Sequence, residues 1–364
     1  MNKNYWKRKI SRLLIGTVLS GFILIFGLSL SLRAAVRGEE SVPVTSKISL
    51  VHLASNDSFD ITENGVKAAK LMLDAIDNNN TDSALKASQL YTEIIFKENF
   101  GGDYTALQWM AVYMSGNSEQ QQKMLKDKYA ASYYDFFAAN NFANLREYIE
   151  RKYKLKEFSD RYTAQGRDRE AFLEDFIRFN NPRREEWEKT SKVLEAIDIK
   201  PGEKIIDVGS GPGYYTFKFS ELVGDKGKVY AVDTVQNHLD YVARVSDKYG
   251  IKNVEPVKTD GVLLGVTGEG ADRAFMCSLY HIIYTVSREG VQEKYINSIK
   301  QALKPGGQFI IVDNAPVDEG KTLPYQGPHI AKELIIGQLK YYGFELEKEY
   351  AFIPQRYILV FKKA

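Results

Sequence analysis

The sequence predicts an α/β fold on a parallel sheet, preceded by an all-α domain and, ahead of both, an apolar segment. Three observations carry this. Past residue 202, short β-branched runs alternate with helical stretches, the pattern of βαβ units. From about 60 to 160 the apolar spacing is helical instead, as in Val66, Ala69, Leu73 and Ile76. Leu13 to Leu32 is a run of 20 residues without a charge. The predicted organisation is a basic N-terminus with a transmembrane or signal segment (1–32), a linker (33–58), a helical domain (59–180) and an α/β domain (181–364).

A helix over 13–32 spans ~30 Å, the thickness of a bilayer core. A single-pass anchor is the first expectation. A cleaved signal peptide is the second, although its apolar core is usually only ~7–15 residues and Arg33 stands beside Ala34-Ala35. A buried core helix is the third. Of the 49 Lys and Arg, five (Lys3, Lys7, Arg8, Lys9, Arg12) lie in 1–12; the other 44 face 47 acids, so the body carries −3. A nucleic-acid-binding body shows a basic excess, and this one does not. Five basic residues precede the apolar run, and Arg33, Arg37 and Lys47 follow it. That bias places the N-terminus on the cytoplasmic side and the body across the membrane. The single cysteine, Cys277, excludes a disulfide framework and a multi-thiolate metal site, so no metal is expected.

Within the helical domain, Leu107, Met110, Ala111 and Met114 fall on one face. Asn78-Asn79-Asn80 and Gly101-Gly102 punctuate it, and Ser118-Glu119-Gln120-Gln121 reads as a capping box. Tyr129, Tyr133, Tyr134, Phe136, Phe137 and Phe142 are expected to pack, and only secondarily to wall a substrate pocket. The Lys and Arg of 146–156 alternate with acids, which predicts a solvated face. Gly166 and Asn180-Asn181-Pro182 mark the approach to the second domain, and one helix is expected from Arg183 to Ile197.

The chemistry concentrates after Lys200-Pro201-Gly202-Glu203. Ile205 to Val208 is a strand that runs into Gly209-Ser210-Gly211-Pro212-Gly213 and then a helix from Tyr214 to Val223. Small residues let the backbone approach a ligand, and the helix start offers free N–H groups. A dinucleotide fingerprint would need glycine at 214, where Tyr214 stands; the pattern is D-x-G-x-G-x-G, led by Asp207. A second strand, Val229 to Asp233, ends in an acid 20 residues beyond Gly213, where a neighbouring strand presents a carboxylate to ribose hydroxyls. A third, Val254 to Lys258, is followed by Asp260; the fourth is Ala271 to Cys277; a turn at Leu303 to Gly307 leads into the fifth, Gln308 to Asp313.

These elements, in this order, resemble the class I S-adenosylmethionine (SAM)-dependent methyltransferases over about 183–364, half the chain. The resemblance implies a Rossmann-like seven-stranded sheet whose last strand is antiparallel, here Arg356 to Phe361, and SAM as co-substrate. Asp207, Gly209, Ser210, Gly211 and Gly213 would then hold the methionine part, Asp233 the ribose hydroxyls and Asp260 the adenine amine, with Ser278 at the end of the fourth strand also touching SAM. Arg184 and Trp187 in the lead-in, and Gly327-Pro328-His329, Gly343-Phe344 and Pro354-Gln355 in the tail, look like a bacterial branch of the family.

A sulfonium methyl is already activated, so the protein mainly aligns the acceptor and excludes water. A base helps where the acceptor must lose a proton. Ser278 to Tyr284 follows the fourth strand, at the carboxyl edge where ligands gather. His281 is the candidate base, with Tyr280 and Tyr284 orienting the acceptor; an ordinary hydrogen-bonded histidine is the alternative. Cys277 is expected to be an inert strand residue. The leading expectation is a membrane-anchored methyltransferase acting on a small-molecule or lipid-like acceptor. Its rivals are a non-catalytic scaffold on the same fold and a secreted or periplasmic binding protein. The charge bias and the chemistry conflict, because SAM is made in the cytosol.

Overall fold

The computed structural model describes residues 61–98, 102–266, 268, 270–286, 290–316 and 327–364. The expected anchor at 13–32 and the linker at 33–58 lie outside them. Among the described residues no helix is long and apolar enough to cross a membrane.

The N-terminal part is helical, built from α1 (Glu63–Asn78), α2 (Thr81–Glu98), α3 (Asp103–Ser115), α4 (Ser118–Met124), α5 (Lys128–Lys152) and α6 (Ala164–Phe179). Thr62 caps α1 by accepting the Gly65 N–H, and Asn79 ends it in the left-handed conformation. The buried stripe of α1 runs through Ala68, Ala69, Met72, Ala75 and Ile76, so Val66 and Leu73 sit at its margins. The capping box of α4 is set one residue earlier than expected: Asn117 and Gln120 bond reciprocally, and Ser118 is the first helical residue. α5 is interrupted at Ala139–Phe142, where Asn140, Asn141 and Phe142 take positive φ.

Tyr133, Phe136, Phe137 and Phe176 form the aromatic centre of this core, and it continues without a break into Phe217, Tyr241, Val242 and Val245 of the second domain. Each such ring contributes about 1.5–3 kcal/mol through the apolar surface it removes from water. The expected solvated face at 146–156 holds for Lys154 and Lys156, which are exposed, but not for its centre. Arg151 and Lys152 are 4 % and 7 % exposed, because Arg151 pairs with Glu147 and Asp160, and Lys152 with Glu174 and Asp103.

Two short helices, α7 (Glu185–Glu188) and α8 (Thr190–Ile197), replace the single helix expected over 183–197; Lys189 breaks it with φ of 52°. The α/β domain then runs β1 (Lys204–Val208), α9 (Tyr214–Val223), β2 (Lys228–Asp233), α10 (Gln236–Tyr249), β3 (Val254–Lys258), β4 (Ala271–Cys277), α11 (Tyr280–Val286), α12 (Val291–Ala302), β5 (Leu303–Asn314), α13 (Lys332–Tyr341), β6 (Phe344–Tyr350) and β7 (Arg356–Lys363). The sheet has seven strands in the order β3-β2-β1-β4-β5-β7-β6. β1 to β5 pair in parallel, and β7 is antiparallel to both β5 and β6. β5 begins earlier than expected: Leu303 pairs with Ala271, and the chain swings out before Gln308 pairs with Arg273.

Both faces of the sheet are covered, which is why its central strands are apolar on both sides. Ile205, Phe275, Ile310 and Val360 pack under α8 and α9. Ile206, Ala274, Phe309 and Phe361 pack under α11 to α13. The edge strand β6 instead exposes Glu345, Glu347, Lys348 and Glu349, charges that discourage pairing with another chain.

Candidate functional site

The carboxyl ends of the parallel strands bring most of the sequence-predicted residues to one place. After β1 the chain turns through the glycine loop, and the N–H groups of Gly209 and Ser210 both donate to the Val232 carbonyl of β2 (2.8 and 3.0 Å). Two glycines are required by geometry. Gly209 has φ of 73°, and a Cβ there would lie 2.5 Å from Leu279 Cδ2. Gly213 has φ of 89°, and a Cβ would lie 2.7 Å from the Phe217 ring.

Asp233, at the end of β2, closes onto this loop. Its Oδ2 accepts the Gly211 N–H at 2.8 Å and its Oδ1 the Val235 N–H at 2.7 Å. Burial opposes its charge, but His238 and these two N–H groups hold the carboxyl below its usual range. Asp207, at the end of β1, is 3 % exposed and accepts from Thr216 Oγ1 at 2.6 Å. There burial wins over the Thr216 hydrogen bond and pushes the carboxyl up to about 7. Asp260, beyond β3, is exposed and accepts the N–H groups of Val262 and Leu263 (2.8 and 3.1 Å), which keep it below its usual value.

Ser278 follows β4, next to Leu279, which abuts Gly209. It has φ of 55°, and its hydroxyl accepts from Arg356 Nη2 at 2.5 Å. It thereby joins a buried cluster that sequence reasoning did not foresee. Arg356 Nη1 donates to both Glu188 oxygens at 2.9 Å, and Arg184 Nε lies 3.5 Å from the same carboxylate. Burial opposes the Glu188 charge, but Arg356 and then Arg184 bring its carboxyl down to about 2. Cys277 Sγ is 3.1 Å from Glu188 Oε1, and burial, with that carboxylate, pushes the thiol up to about 12. A thiol so placed is protonated and inert at neutral pH.

The three candidate catalytic residues occupy α11. His281 is 3 % exposed; its Nδ1 lies 2.7 Å from Asp313 Oδ1, and its backbone N–H donates to Asp313 Oδ2 at 2.9 Å. Asp313, taken from the sequence only as a strand end, is the group that orients this ring. Gly327 abuts the other side: a Cβ there would overlap His281 Nε2. Tyr280 points away from the carboxyl edge. It is fully buried within the core under α11 to α13, and its hydroxyl donates to Gln338 Oε1 at 2.6 Å. Tyr284 is half-buried against the same core.

A cavity of about 370 Å³ lies at the seam of the two domains, lined among others by Trp109, Tyr129, Lys218 and Tyr241. It shares only Gly213 with the glycine loop and reaches none of the strand-end acids. Among the described residues, no group of three or more His, Cys, Asp or Glu could hold a metal ion.

Comparison with known proteins falls on this same region. Residues 199–341 match the family model described as a methyltransferase domain. The protein-L-isoaspartate O-methyltransferase of Aeropyrum pernix is 30% identical over 125 residues, 34% of this chain and 44% of that protein. A ubiquinone/menaquinone biosynthesis C-methyltransferase of Teredinibacter turnerae is 27% identical over 129 residues, 35% of this chain and 48% of that protein. The chain spans about half the length of these curated relatives. Among solved structures, a SAM dependent methyltransferase from Aquifex aeolicus is similar at 25% identity and a TM-score of 0.44, over 50% of this chain and 94% of that one.

Proposed function

Because its C-terminal domain belongs to the class I SAM-dependent methyltransferases, we propose that this chain transfers the methyl group of SAM to a small-molecule or lipid-like acceptor. One observation carries the reading. Asp207 and Asp233, at the ends of β1 and β2, flank a glycine loop that Asp233 itself fastens through the Gly211 N–H. Neither acid is in an ion pair with Lys or Arg among the described residues. Such a site suits a ligand with an ammonium group and ribose hydroxyls. The methionine part is assigned to Asp207, Gly209, Ser210, Gly211 and Gly213, the ribose to Asp233 and the adenine to Asp260.

Bound SAM supplies an activated methyl, so the chain's own task is to align the acceptor and keep water out. His281 is the assigned base. With Nδ1–H held on Asp313, Nε2 keeps the lone pair that takes a proton from an acceptor hydroxyl. Ser278, just after β4, is assigned to SAM as well, and Arg356 of β7 holds its hydroxyl. The name of the Teredinibacter turnerae relative associates that protein with quinone biosynthesis, and an apolar, quinone-like acceptor fits an enzyme held at a bilayer. The anchor at 13–32 is part of the proposal, supported by its 20 chargeless residues and the five basic residues before it. Because SAM is cytosolic, the body is assigned to the cytoplasmic side, against the charge bias.

Calorimetry with S-adenosylhomocysteine tests the activity class: wild-type protein binds it, and absence of binding overturns the reading. A topology reporter fused after Ala364 tests the side; a signal from beyond the membrane overturns that assignment.

A further inference from the structure

Next to Asp233 stands a buried side chain that the cofactor assignment leaves unused. His238 is 3 % exposed and lies between carboxylates of the two domains. Its Nδ1 is 3.4 Å from Asp233 Oδ1, and its Nε2 is 3.5 Å from Asp175 Oδ2 on α6. Nε2 is buried and makes no hydrogen bond. A neutral imidazole has one N–H and can serve one carboxylate; an imidazolium serves both. The Phe172 ring of α6 packs 5.8 Å away. The other charges that bear on the pair are few. Lys258 on β3 opposes a positive His238. Burial, aided by Glu174 and against His238 and Arg178, pushes the Asp175 carboxyl up to about 6, so Asp175 is ionised only above the acid end of the range tested below.

We propose that His238 is a positioning residue of the cofactor site: as an imidazolium it holds the Asp233 carboxylate toward the glycine loop and ties it, through Asp175, to the helical domain. The inference rests on Asp233 as the ribose-binding acid. It gives the helical domain a part in SAM binding. Burial disfavours the charged ring, yet Asp233 and Asp175 hold His238 above its ordinary 6.5. The charged form is therefore present at lower pH and is lost as pH rises through that raised value. The contribution of His238 to cofactor affinity falls with it.

The test is calorimetry of S-adenosylhomocysteine into the full chain from about pH 6 to about pH 9, with thermal melts to check folding. Asp207, whose carboxyl is pushed up to about 7, titrates in the same range in every variant. The readout is therefore the ratio of wild-type to His238→Met affinity, which is expected to decline about three- to tenfold across that range. His238→Met binds about tenfold more weakly at the acid end and approaches the wild type at the alkaline end. Asp175→Asn, which changes a residue of the other domain, moves the decline to lower pH, because His238 has lost one of its two carboxylates. His238→Gln, which keeps one donor, recovers part of the affinity and follows the pH profile of His238→Met. Folded His238 variants with wild-type affinity and pH dependence overturn the inference. Should His238→Met fail to fold, an unchanged profile in Asp175→Asn overturns it. Failure of the wild type to bind at any pH overturns the cofactor reading itself, a separate result.

Discussion

The two halves of the sheet's carboxyl edge handle charge in opposite ways. On the β1–β2–β3 side, Asp207, Asp233 and Asp260 are held by backbone N–H groups, a threonine and a histidine, with no lysine or arginine paired to them among the described residues. On the β4–β5–β7 side, among the described residues, Glu188 lies between two guanidinium groups, Arg356 and Arg184, and Asp313 takes both the ring and the backbone N–H of His281. The first half has acceptor capacity left for a ligand, whereas the second spends its charges on itself. A site that must bind a cation-bearing molecule keeps its acids open, at some cost in stability. The wall beside it is locked, which keeps the reacting geometry fixed.

The comparison is broken most severely from the locked side. Glu188→Gln leaves the Arg184 and Arg356 guanidinium groups buried without their shared carboxylate. It should cost about 3–5 kcal/mol of unfolding free energy, measured by urea denaturation. Wild-type stability would mean the cluster is not what fixes β7 against α7. The pH sign follows from the depressed carboxyl: its contribution is full above the ordinary 4.5 and is lost as pH falls toward about 2.

On the open side, Asp233→Ala removes the acceptor for Gly211 and Val235 N–H and for the ribose. S-adenosylhomocysteine affinity should drop about 100-fold or more, since hydrogen bonds to a charged group are worth about 1.5–3 kcal/mol each. Stability should change less than in Glu188→Gln. Asp207→Asn is predicted to separate function from stability. A carboxyl raised from 3.8 to about 7 destabilises the fold once the unfolded chain ionises, and the penalty grows until about pH 7. The variant should therefore melt higher than wild type, by ~3 °C or more at pH 8 and by less near pH 5, while binding S-adenosylhomocysteine more weakly. A lower melting temperature at pH 8 would show that Asp207 is already stabilised without ligand.

The open half was legible in the sequence because its requirements are local. A strand that runs into glycines of positive φ, followed by a helix, fixes where Asp207 sits, and the length of α9 sets where Asp233 falls. The locked half was not, because its pairs form across the chain: Glu188 and Arg356 are 168 positions apart, and Asp175 meets His238 only when α6 docks. The same limit explains Arg151 and Lys152, whose alternation with acids suggested solvent but whose partners Asp160 and Glu174 come from the next elements. β6 carries too many charges to read as a strand by itself; only pairing with β7 makes it one.

The smallest effect tests where the acceptor side begins. Tyr280 and His281 are adjacent on α11, yet only His281 turns toward Asp313 and Gly327. Tyr280→Phe removes one hydroxyl whose hydrogen bond is to Gln338, so it should cost about 1 kcal/mol of stability and leave methyl transfer unchanged. His281→Asn should lower kcat by ~100-fold for an acceptor that loses a proton, with S-adenosylhomocysteine affinity intact. Equal loss of turnover in both variants would place the acceptor on the Tyr280 face, inside what is now core. Loss in His281→Asn alone confines it to the carboxyl edge, where the open and locked halves meet.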